Sequence, residues 1–537
     1  MKRILALVLS LAAIVTVFAG CGSPSSGAKA ISACIASEPQ SIDPSLNKSL
    51  DGGSYINCAF EGLTTYDKNG KIVGGTAEKW DVSADNKVYT FHIRKDAKWS
   101  DGKDVTAKDF VYSWKRAIDP KTASDYAYYL YFIKNGEAIN TNGAPIDSLG
   151  VKAIDDKTLE VTLENVCPFF TEIVAFPTLV PLREDVVSKN PSKWTLDPKT
   201  YIGNGPYVMT SWQHSSKITF EKNDNYWNKD SIVAPKIEWY LMNDENAILG
   251  AFKNKQISFA RNIPHDEMPA EKASGDLQIL PQLGTYYLAL LNTKPPFNNP
   301  KVRQAVSLAI DRNYITEKVR KAGETPASGF VPYGIADVKQ KPDFRTTGGD
   351  FYSVKPEDYQ KNIAEAKKLL AEAGYPDGKG FPKVTYGLST GAGHEAVAEA
   401  IQQELKTNLG INVEIQAQEW NVFQESRKNG LFDIARDGWV GDYMDPSTFM
   451  DLLTSKNPQN DSKYKNPAFD KDIEAASKET DPAKRMQFYH DAEKLVMNDA
   501  GVVPIFFYTD PIAIDKNLKG YLVTKLGFVY FNWASFK

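Results

Sequence analysis

The segment from 432 to 446, FDIARDGWVGDYMDP, brings ionisable and aromatic side chains close together. Asp442 lies between Trp439 and Tyr443, and the neighbouring glycines and proline are expected to keep this backbone out of a helix. A carboxylate among aromatic faces on a loop suggests a binding group, since loops on a rigid scaffold commonly carry such groups. A surface turn with a solvated Asp and a half-buried Trp explains the same residues, so the segment alone leaves both interpretations open.

A second set of residues matches the nucleophile motif of serine hydrolases. Residues 387–391, GLSTG, fit G-x-S-x-G with Ser389 as the nucleophile after a predicted strand. Asp442 and His490 follow in the chain order of a hydrolase triad. His490, however, belongs to an amphipathic helix pattern, and a glycine-rich strand-to-helix turn explains the motif as well. A secreted serine hydrolase using Ser389 is therefore the alternative.

Other cofactor chemistry has weak support in the sequence. Residues 391–396 fit G-x-G-x-x-A, but Glu414 falls in the middle of the next predicted strand, where a dinucleotide site would need its acid at the end. The five histidines lack the spacing of metal ligands; they are His92, His214, His265, His394 and His490. We expect no cofactor and no metal.

The elements that position these residues alternate between strand and helix. The pattern from residue 384 reads strand, helix, strand, helix and strand over 384–388, 395–409, 411–415, a helix from 420, and 432–436. This order is typical of a parallel sheet, whose ligands bind at the carboxyl ends of the strands. Because Gly438 is expected to break the last strand, Trp439 and Asp442 would follow such an end.

Apolar periodicity predicts the remaining elements. Alternation predicts strands over 89–93, 159–163, 218–220 and 237–241. Thr106 and Asp109 resemble the N-terminal cap of a helix with Phe110 and Trp114 on one face. Apolar stripes predict further helices over 302–310, 363–373 and 486–496.

Length and composition limit the class of protein. A chain of 537 residues suggests three or four compact units, at about 150 residues each. Hydrophobic content of 42% with 24% charged residues is ordinary for a soluble globular protein. The net charge is −4 and the chain has no basic block, so nucleic acid is not expected as a partner.

The N-terminus has the order of a bacterial secretory signal. Lys2 and Arg3 precede an apolar run over 4–17, which is too short for a membrane span, and FAGC resembles a lipoprotein processing box. We expect acylation of Cys21, followed by a flexible tether over 22–30. Ordinary cleavage nearby, which would release a free secreted protein, is the alternative.

Three cysteines remain after Cys21, so at most one disulfide can form among Cys34, Cys58 and Cys167. Cys34 lies in an apolar run and Cys58 beside Ala59 and Phe60. We expect both to be buried, inert thiols.

Several long motifs resemble the family of oligopeptide-, dipeptide- and nickel-binding proteins of ABC importers, and the oligopeptide binders most closely. They follow the family's order and cover essentially the whole chain after the leader. The motifs are SEPQSIDP (37–44), FEGL (60–63), AEKW (77–80), YTFHIRKDAKWSDG (89–102), VTAKDFVYSWKRAIDP (105–120), NGPY (204–207), PFNNPKVRQAVSLAIDR (296–312) and RDGWVGDYMDP (436–446).

The resemblance implies an α/β fold of the periplasmic-binding-protein type, with mixed sheets and two lobes hinged by crossing strands. An extra subdomain is inserted in the first lobe. The implied division is a signal peptide over 1–20, the lipidated Cys and tether over 21–30, lobe I over 31–60, 186–283 and 510–537, the inserted subdomain over 61–185, and lobe II over 284–509.

The resemblance also assigns roles by motif position. Asp442 matches the acid that takes the peptide's ammonium. The residues that match partners of the peptide's carboxylate are Arg436, Arg427 and His394; the matching pocket-lining aromatics are Trp420, Trp439, Tyr126 and Tyr508. Surface salt bridges or core packing are the alternatives for these residues. Lys48 departs from the pattern, because some family members carry an acid near that point.

The function implied by the resemblance is capture of extracellular oligopeptides between two lobes and delivery to the permease of an ABC importer. The protein would be a monomer anchored by its N-terminal lipid to the outer face of the cytoplasmic membrane, and it would catalyse no reaction. A nickel chelate or haem as ligand is the alternative within the family, although Asp442 favours an amine.

Overall fold

The computed structural model describes residues 29–338, 342–391 and 393–537. Cys21 and the predicted signal lie outside the described residues. Within these three ranges no helix is long and apolar enough to cross a membrane.

The strands in the described ranges are β1 (Ile31–Cys34), β2 (Thr64–Tyr66), β3 (Ile72–Gly74), β4 (Ala77–Val82), β5 (Val88–Ile93), β6 (Val151–Ala153), β7 (Thr158–Thr162), β8 (Tyr207–Gln213), β9 (Lys217–Lys222), β10 (Lys236–Tyr240), β11 (Phe259–Ala260), β12 (Leu277–Leu290), β13 (Thr325–Pro326), β14 (Val384–Ser389), β15 (Val413–Gln418), β16 (Ile434–Val440), β17 (Val503–Ile514), β18 (Leu518–Lys519), β19 (Leu522–Val523), β20 (Val529–Tyr530) and β21 (Ser535–Phe536).

The α-helices in the same ranges are α1 (Leu50–Ala59), α2 (Ala107–Ile118), α3 (Gly136–Asn142), α4 (Phe170–Ile173), α5 (Glu184–Val187), α6 (Glu245–Lys253), α7 (Met268–Ser274), α8 (Pro300–Leu308), α9 (Arg312–Tyr314), α10 (Phe344–Gly348), α11 (Tyr359–Glu372), α12 (His394–Leu409), α13 (Trp420–Lys428), α14 (Ser447–Met450), α15 (Pro467–Lys478) and α16 (Pro482–Asn498). A 3₁₀ helix over Ala127–Phe132 bears on the site described below.

One mixed sheet of eleven strands forms the frame of the molecule, in the order β15-β14-β16-β12-β17-β11-β1-β10-β9-β8, with β13 paired to β17. Strands β14, β15 and β16 are parallel, as the alternating pattern predicted. Strands β12 and β17 are antiparallel to each other and span 14 and 12 residues. These two long strands join the parallel strands to the part of the sheet that contains β1 and β8–β11.

Residues 77–162 contribute a separate four-stranded sheet in the order β4-β5-β7-β6. Burial alternates along β5 and β7, which confirms the apolar faces predicted there. Helix α2 packs beside this sheet, and its Thr106–Asp109 capping box is present, with the Thr106 N–H donating to Asp109 Oδ2 at 2.7 Å. The division of the chain into lobes and subdomain remains a prediction.

The longer predicted helices are confirmed with small changes at their ends. Apolar stripes predicted 302–310, 363–373, 395–409 and 486–496, where the structure has α8, α11, α12 and α16. Two of these helices begin earlier than their stripes because proline is favoured in the first turn; the residues are Pro300 and Pro482.

The prediction that Gly438 breaks the last parallel strand is wrong. Strand β16 runs through Gly438 to Val440, so Trp439 lies on the strand and Asp442 follows its end. A Cβ at residue 438 would collide with the hydroxyl of Tyr508 on β17. Glycine is therefore required here by the close approach of a side chain, and not by a turn.

The described cysteines are buried and unpaired, which confirms the expectation for Cys34 and Cys58. Burial raises the pKa of the Cys34 thiol to about 11 and that of Cys58 to about 12. Cys167 is likewise a free, buried thiol. All three are therefore unreactive as thiolates near neutral pH.

Substitution of Gly438 by alanine tests this close approach. We expect Gly438→Ala to lower the free energy of unfolding by about 1–3 kcal/mol, because Tyr508 or β16 must shift to admit the methyl group. Urea denaturation measures the change. Gly250→Ala is the control, since a Cβ there meets no atom within 4 Å and lies inside α6. Equal stability of the two variants would contradict the explanation.

Candidate functional site

The predicted site residues gather around β16 and the loop that follows it. Strand β16 pairs with β12 over seven residue pairs, from Gly284 opposite Val440 to Leu290 opposite Ile434. It pairs with β14 only at Ile434 and Ala435. One edge of β16 from residue 436 onward is therefore not covered by a described strand. The loop after the strand meets the 3₁₀ helix Ala127–Phe132 at Asp442.

Asp442 is half-buried and has no positive partner among the described residues. Its Oδ2 accepts a hydrogen bond from Tyr128 Oη at 2.7 Å, and its carbonyl accepts one from Tyr129 Oη at 2.7 Å. Burial raises the pKa of the Asp442 carboxyl to about 7, and the hydrogen bond from Tyr128 offsets only part of this effect. An acid in this state gains strongly from a bound cation.

Arg436 is the complementary case. Its guanidinium lies 5.4 Å from the ring centre of Tyr286 and 5.9 Å from that of Trp420. Its Nε is buried without a hydrogen-bond partner, and the guanidinium forms no ion pair with a described residue. Aromatic faces stabilise a guanidinium but do not neutralise it, so a bound anion would complete this site.

Arg427 is in a different state from Arg436. Its Nη1 lies 2.6 Å from Asp437 Oδ1 and its Nε lies 2.7 Å from Asp461 Oδ2. All three side chains are largely buried, so the two acids already compensate the guanidinium. These ion pairs hold α13 against β16, and a direct contact of Arg427 with a ligand stays a prediction.

His394 is the first residue of α12 and is 8% exposed. Its Nδ1 is buried without a partner, and its ring centre lies 5.7 Å from that of Tyr286. Burial, together with the charges of Arg436 and Arg320, lowers the pKa of the imidazole to about 3. The ring is therefore neutral at physiological pH and can take part in a hydrogen bond rather than an ion pair.

The predicted aromatics fall into two groups around these charges. Near Arg436, Trp420 is 46% exposed and Tyr508 packs against Tyr286 with ring centres 6.3 Å apart. Near Asp442, Trp439 Nε1 donates to Thr448 Oγ1 at 3.3 Å, and Tyr126 packs on Phe176 at 5.0 Å. All four side chains thus lie beside one of the two unpaired charges, and their contact with a ligand remains a prediction.

Sequence reasoning missed the residues that reach Asp442 from a distant part of the chain. Tyr128 and Tyr129 belong to the run AYYLYF, from which only the preceding Tyr126 was singled out. Phe169 stacks on Tyr443 with ring centres 4.4 Å apart. The one available signal was the density of tyrosine in that run, and it indicates a buried surface as readily as a site.

The residues of the hydrolase alternative do not assemble into a triad. His490 Nε2 lies 3.1 Å from Asp337 Oδ2, and the imidazole stacks on Phe344. The side chain of Asp442 is hydrogen-bonded to Tyr128 instead. Nor do the described residues include a group of three or more His, Cys, Asp or Glu side chains that could hold a metal ion.

Comparison with known proteins gives a consistent family. Residues 71–461 match the model of bacterial extracellular solute-binding proteins, family 5 Middle. The oligopeptide-binding protein OppA of Bacillus subtilis (strain 168) is 37% identical over an alignment of 548 residues that covers 99% of this chain and 98% of the relative. The periplasmic murein peptide-binding protein MppA of Escherichia coli (strain K12) is 38% identical over 491 residues, covering 91% and 89%.

Solved structures agree with this result. The murein tripeptide binding protein MppA of Escherichia coli has a TM-score of 0.82 at 36% identity, covering 94% of this chain and 98% of its own. OppA of Haemophilus influenzae, solved in complex with RPPGFSPFR, has a TM-score of 0.81 at 33% identity, covering 95% and 99%. The two-lobed, mixed α/β fold implied by the motifs is thereby confirmed, and these relatives are binding proteins. The chain belongs to the family 5 bacterial extracellular solute-binding proteins.

Proposed function

We propose that this protein captures oligopeptides with free termini and delivers them to the permease of an ABC importer. The observation that carries the proposal is the pair of uncompensated, opposite charges on Asp442 and Arg436. Several other buried charges in the described chain form ion pairs instead; examples are Arg345 with Glu493, Arg485 with Asp445 and Arg116 with Asp43. A zwitterionic peptide supplies an ammonium for Asp442 and a carboxylate for Arg436 at once.

The spacing of the two charges suits a short peptide. Arg436 and Asp442 are six residues apart in sequence, so their Cα atoms are separated by at most about 20 Å at ~3.3 Å per residue. An extended peptide has the same rise, so about six peptide residues span a distance equal to this largest Cα separation. We infer that His394, as a neutral hydrogen-bonding group, assists Arg436 in binding the carboxylate.

The exposed edge of β16 can provide affinity that is independent of peptide sequence. Beyond Ala435 the strand pairs with β12 on one side only. An extended peptide can pair its backbone with such an edge while its side chains enter pockets. The names of OppA and MppA, which bind oligopeptides and murein peptides, support a peptide ligand for this chain too.

The remaining parts of the proposal concern location and chemistry. We infer that Cys21 carries the lipid that anchors a monomer to the outer face of the membrane, and that the protein catalyses no reaction. The separation of His490 from Asp442 supports the absence of hydrolysis at Ser389. An amine-bearing peptide is favoured over a nickel chelate or haem because Asp442 is an unpaired acid.

Asp442→Asn tests the amine site. We expect it to weaken a native peptide by about 3–5 kcal/mol, or roughly a hundred- to several thousand-fold, since one member of a buried ion pair is removed. N-acetylation of the peptide should cost wild type a similar amount and add little in the mutant, because both changes remove the same interaction. Calorimetry with one peptide in free and acetylated forms measures this double cycle.

The empty variant provides the control for that cycle. A carboxyl group whose pKa is raised by folding stabilises the native state below about pH 3.9, and this stabilisation is lost as the pH rises through about 7. Asp442→Asn should therefore unfold at the same temperature as wild type or a higher one at neutral pH. Additive losses in the cycle would show that Asp442 is not the amine site.

Substitution of Arg436 should affect peptide affinity, whereas substitution of Arg427 should affect the free energy of unfolding. Arg436→Gln should weaken a peptide with a free carboxylate, spare its C-terminal amide, and leave the free energy of unfolding nearly unchanged. Arg427→Gln should lower the free energy of unfolding by about 3–5 kcal/mol, because it leaves Asp437 and Asp461 without a buried partner. Urea denaturation and calorimetry separate the two effects, and the reverse pattern would contradict the assignment.

Cys21→Ser tests the lipid anchor. The acylated protein should sediment with membranes, and the variant should appear in the medium, because a hydroxyl group cannot replace the thiol as acyl acceptor. Immunoblots of membrane and medium fractions measure the ratio. If both proteins partition alike, Cys21 carries no anchor.

A further inference from the structure

Two tyrosine hydroxyl groups fix Asp442 from a distant part of the chain. Tyr128 Oη donates to Asp442 Oδ2 and Tyr129 Oη donates to its carbonyl, from positions 314 and 313 residues earlier. On the other side, the Asp442 N–H donates to Thr448 Oγ1 at 2.9 Å. The backbone of Asp442 and one of its carboxylate oxygens are therefore held in place.

The second carboxylate oxygen is left available. Within the part of the chain that the structure describes, Oδ2 is bonded to Tyr128, and neither a hydrogen bond to Oδ1 nor an ion pair is present. The Tyr128 ring packs against Tyr126 and Tyr129 at ring-centre distances of 5.7 and 5.3 Å. Because these neighbours restrict the Tyr128 ring, its hydroxyl gives the carboxylate a defined orientation.

We propose that Tyr128 is the positioning residue of the amine site, whose hydroxyl holds Asp442 Oδ2 so that Oδ1 is presented to the ammonium of a bound peptide. This inference rests on the proposed function, because it assigns the support of the same amine site. Tyr128 acts through Asp442 and needs no contact with the ligand.

The hydrogen bond also favours the ionised carboxylate. Burial raises the pKa of Asp442 to about 7, and donation from Tyr128 opposes that rise. Burial and the charge of Asp442 keep the Tyr128 phenol protonated, so it remains a donor throughout the neutral range. An ammonium pairs with the ionised acid, so affinity falls as the pH drops through the pKa of Asp442 in the empty protein. Without Tyr128 this fall should begin at a higher pH.

Other ionisable groups around the loop must be distinguished from Asp442. The tyrosines have pKa values raised by burial and stay neutral; they are Tyr126, Tyr129 and Tyr443. The neighbouring charged groups are Glu172, which accepts from the Met444 N–H, Asp445 paired with Arg485, Asp451, and Asp125 paired with Lys48. Burial raises the pKa of Glu172 and brings that of Asp451 to about 7. A pH dependence of the peptide affinity can therefore be assigned to Asp442 only if Asp442→Asn abolishes it.

The test is calorimetry of wild type and Tyr128→Phe between about pH 6 and pH 8, where Asp442 and the peptide amine titrate. The probe is whichever of tri-, tetra- or penta-alanine binds wild type most tightly, in free and N-acetylated forms. We expect Tyr128→Phe to lower the affinity for the unacetylated peptide about tenfold at pH 7. The pH at which the affinity begins to fall should rise by about one unit, which corresponds to a rise of one unit in the pKa of Asp442.

Tyr131→Phe is the matched control. It lies on the same 3₁₀ helix, and its hydroxyl donates to Asn140 Oδ1 at 2.7 Å. It should bind with wild-type affinity and the wild-type pH onset. Circular dichroism establishes that each variant is folded.

Three outcomes would overturn the proposal. They are wild-type affinity and pH onset in Tyr128→Phe, an equal loss for free and acetylated peptide with no shift of onset, and a loss that persists when Asp442→Asn is added.

A ligand-free measurement keeps this inference separate from the proposed function. Carbon NMR of the Asp442 carboxyl in the empty protein should show a higher pKa in Tyr128→Phe than in wild type. An unchanged pKa overturns the role of Tyr128 even if peptides bind as proposed. Conversely, if wild type binds none of these peptides, the proposed function fails although the shift in the titration of Asp442 can still be observed.

Discussion

A half-buried carboxylate without a positive partner is unfavourable, and this constraint at Asp442 shapes the rest of the site. Burial raises its pKa to about 7, so the empty protein holds an acid that is partly protonated and poorly compensated. In the proposed function, the ammonium of a bound peptide removes this penalty, and the gain contributes to the binding free energy. Arg436 likewise has no ion pair with a described residue, so a bound anion would stabilise its charge in the same way. In the proposed function, Asp442 and Arg436 together select ligands that carry both an ammonium and a carboxylate.

Two unpaired charges can persist only on a frame that prevents them from finding other partners. Strand β16 is fixed by seven residue pairs with β12, which in turn pairs with β17. The close approach of Tyr508 to Gly438 packs β17 against the middle of β16. The ion pair between Arg427 on α13 and Asp437 on β16 holds this helix against the same strand. Much of the stability around the site thus comes from residues that need not touch the ligand.

The sequence predicted those parts of the structure that depend on local pattern. The three parallel strands and the longer helices were found because apolar periodicity over many residues leaves few alternatives. The role of Gly438 is not readable from local sequence, because a glycine in a turn and a glycine beneath a close side chain look alike, and Tyr508 comes 70 residues later. The role of Tyr128 is hidden for a similar reason, since its partner lies 314 residues away. Motif position placed Asp442 and Arg436 near each other, but it could not show which charges lack partners.

The contrast between Arg436 and Arg427 shows why the geometry of the strand decides that question. In sequence, Arg436 and Asp437 look like a pair that neutralises itself. On a strand, however, consecutive side chains point to opposite faces, so Asp437 is turned away from Arg436, and its carboxylate meets Arg427 instead. The guanidinium of Arg427 forms ion pairs with both Asp437 and Asp461. The alternation of a single strand therefore assigns one arginine to the scaffold and leaves the other, in the same motif, free to meet an anion.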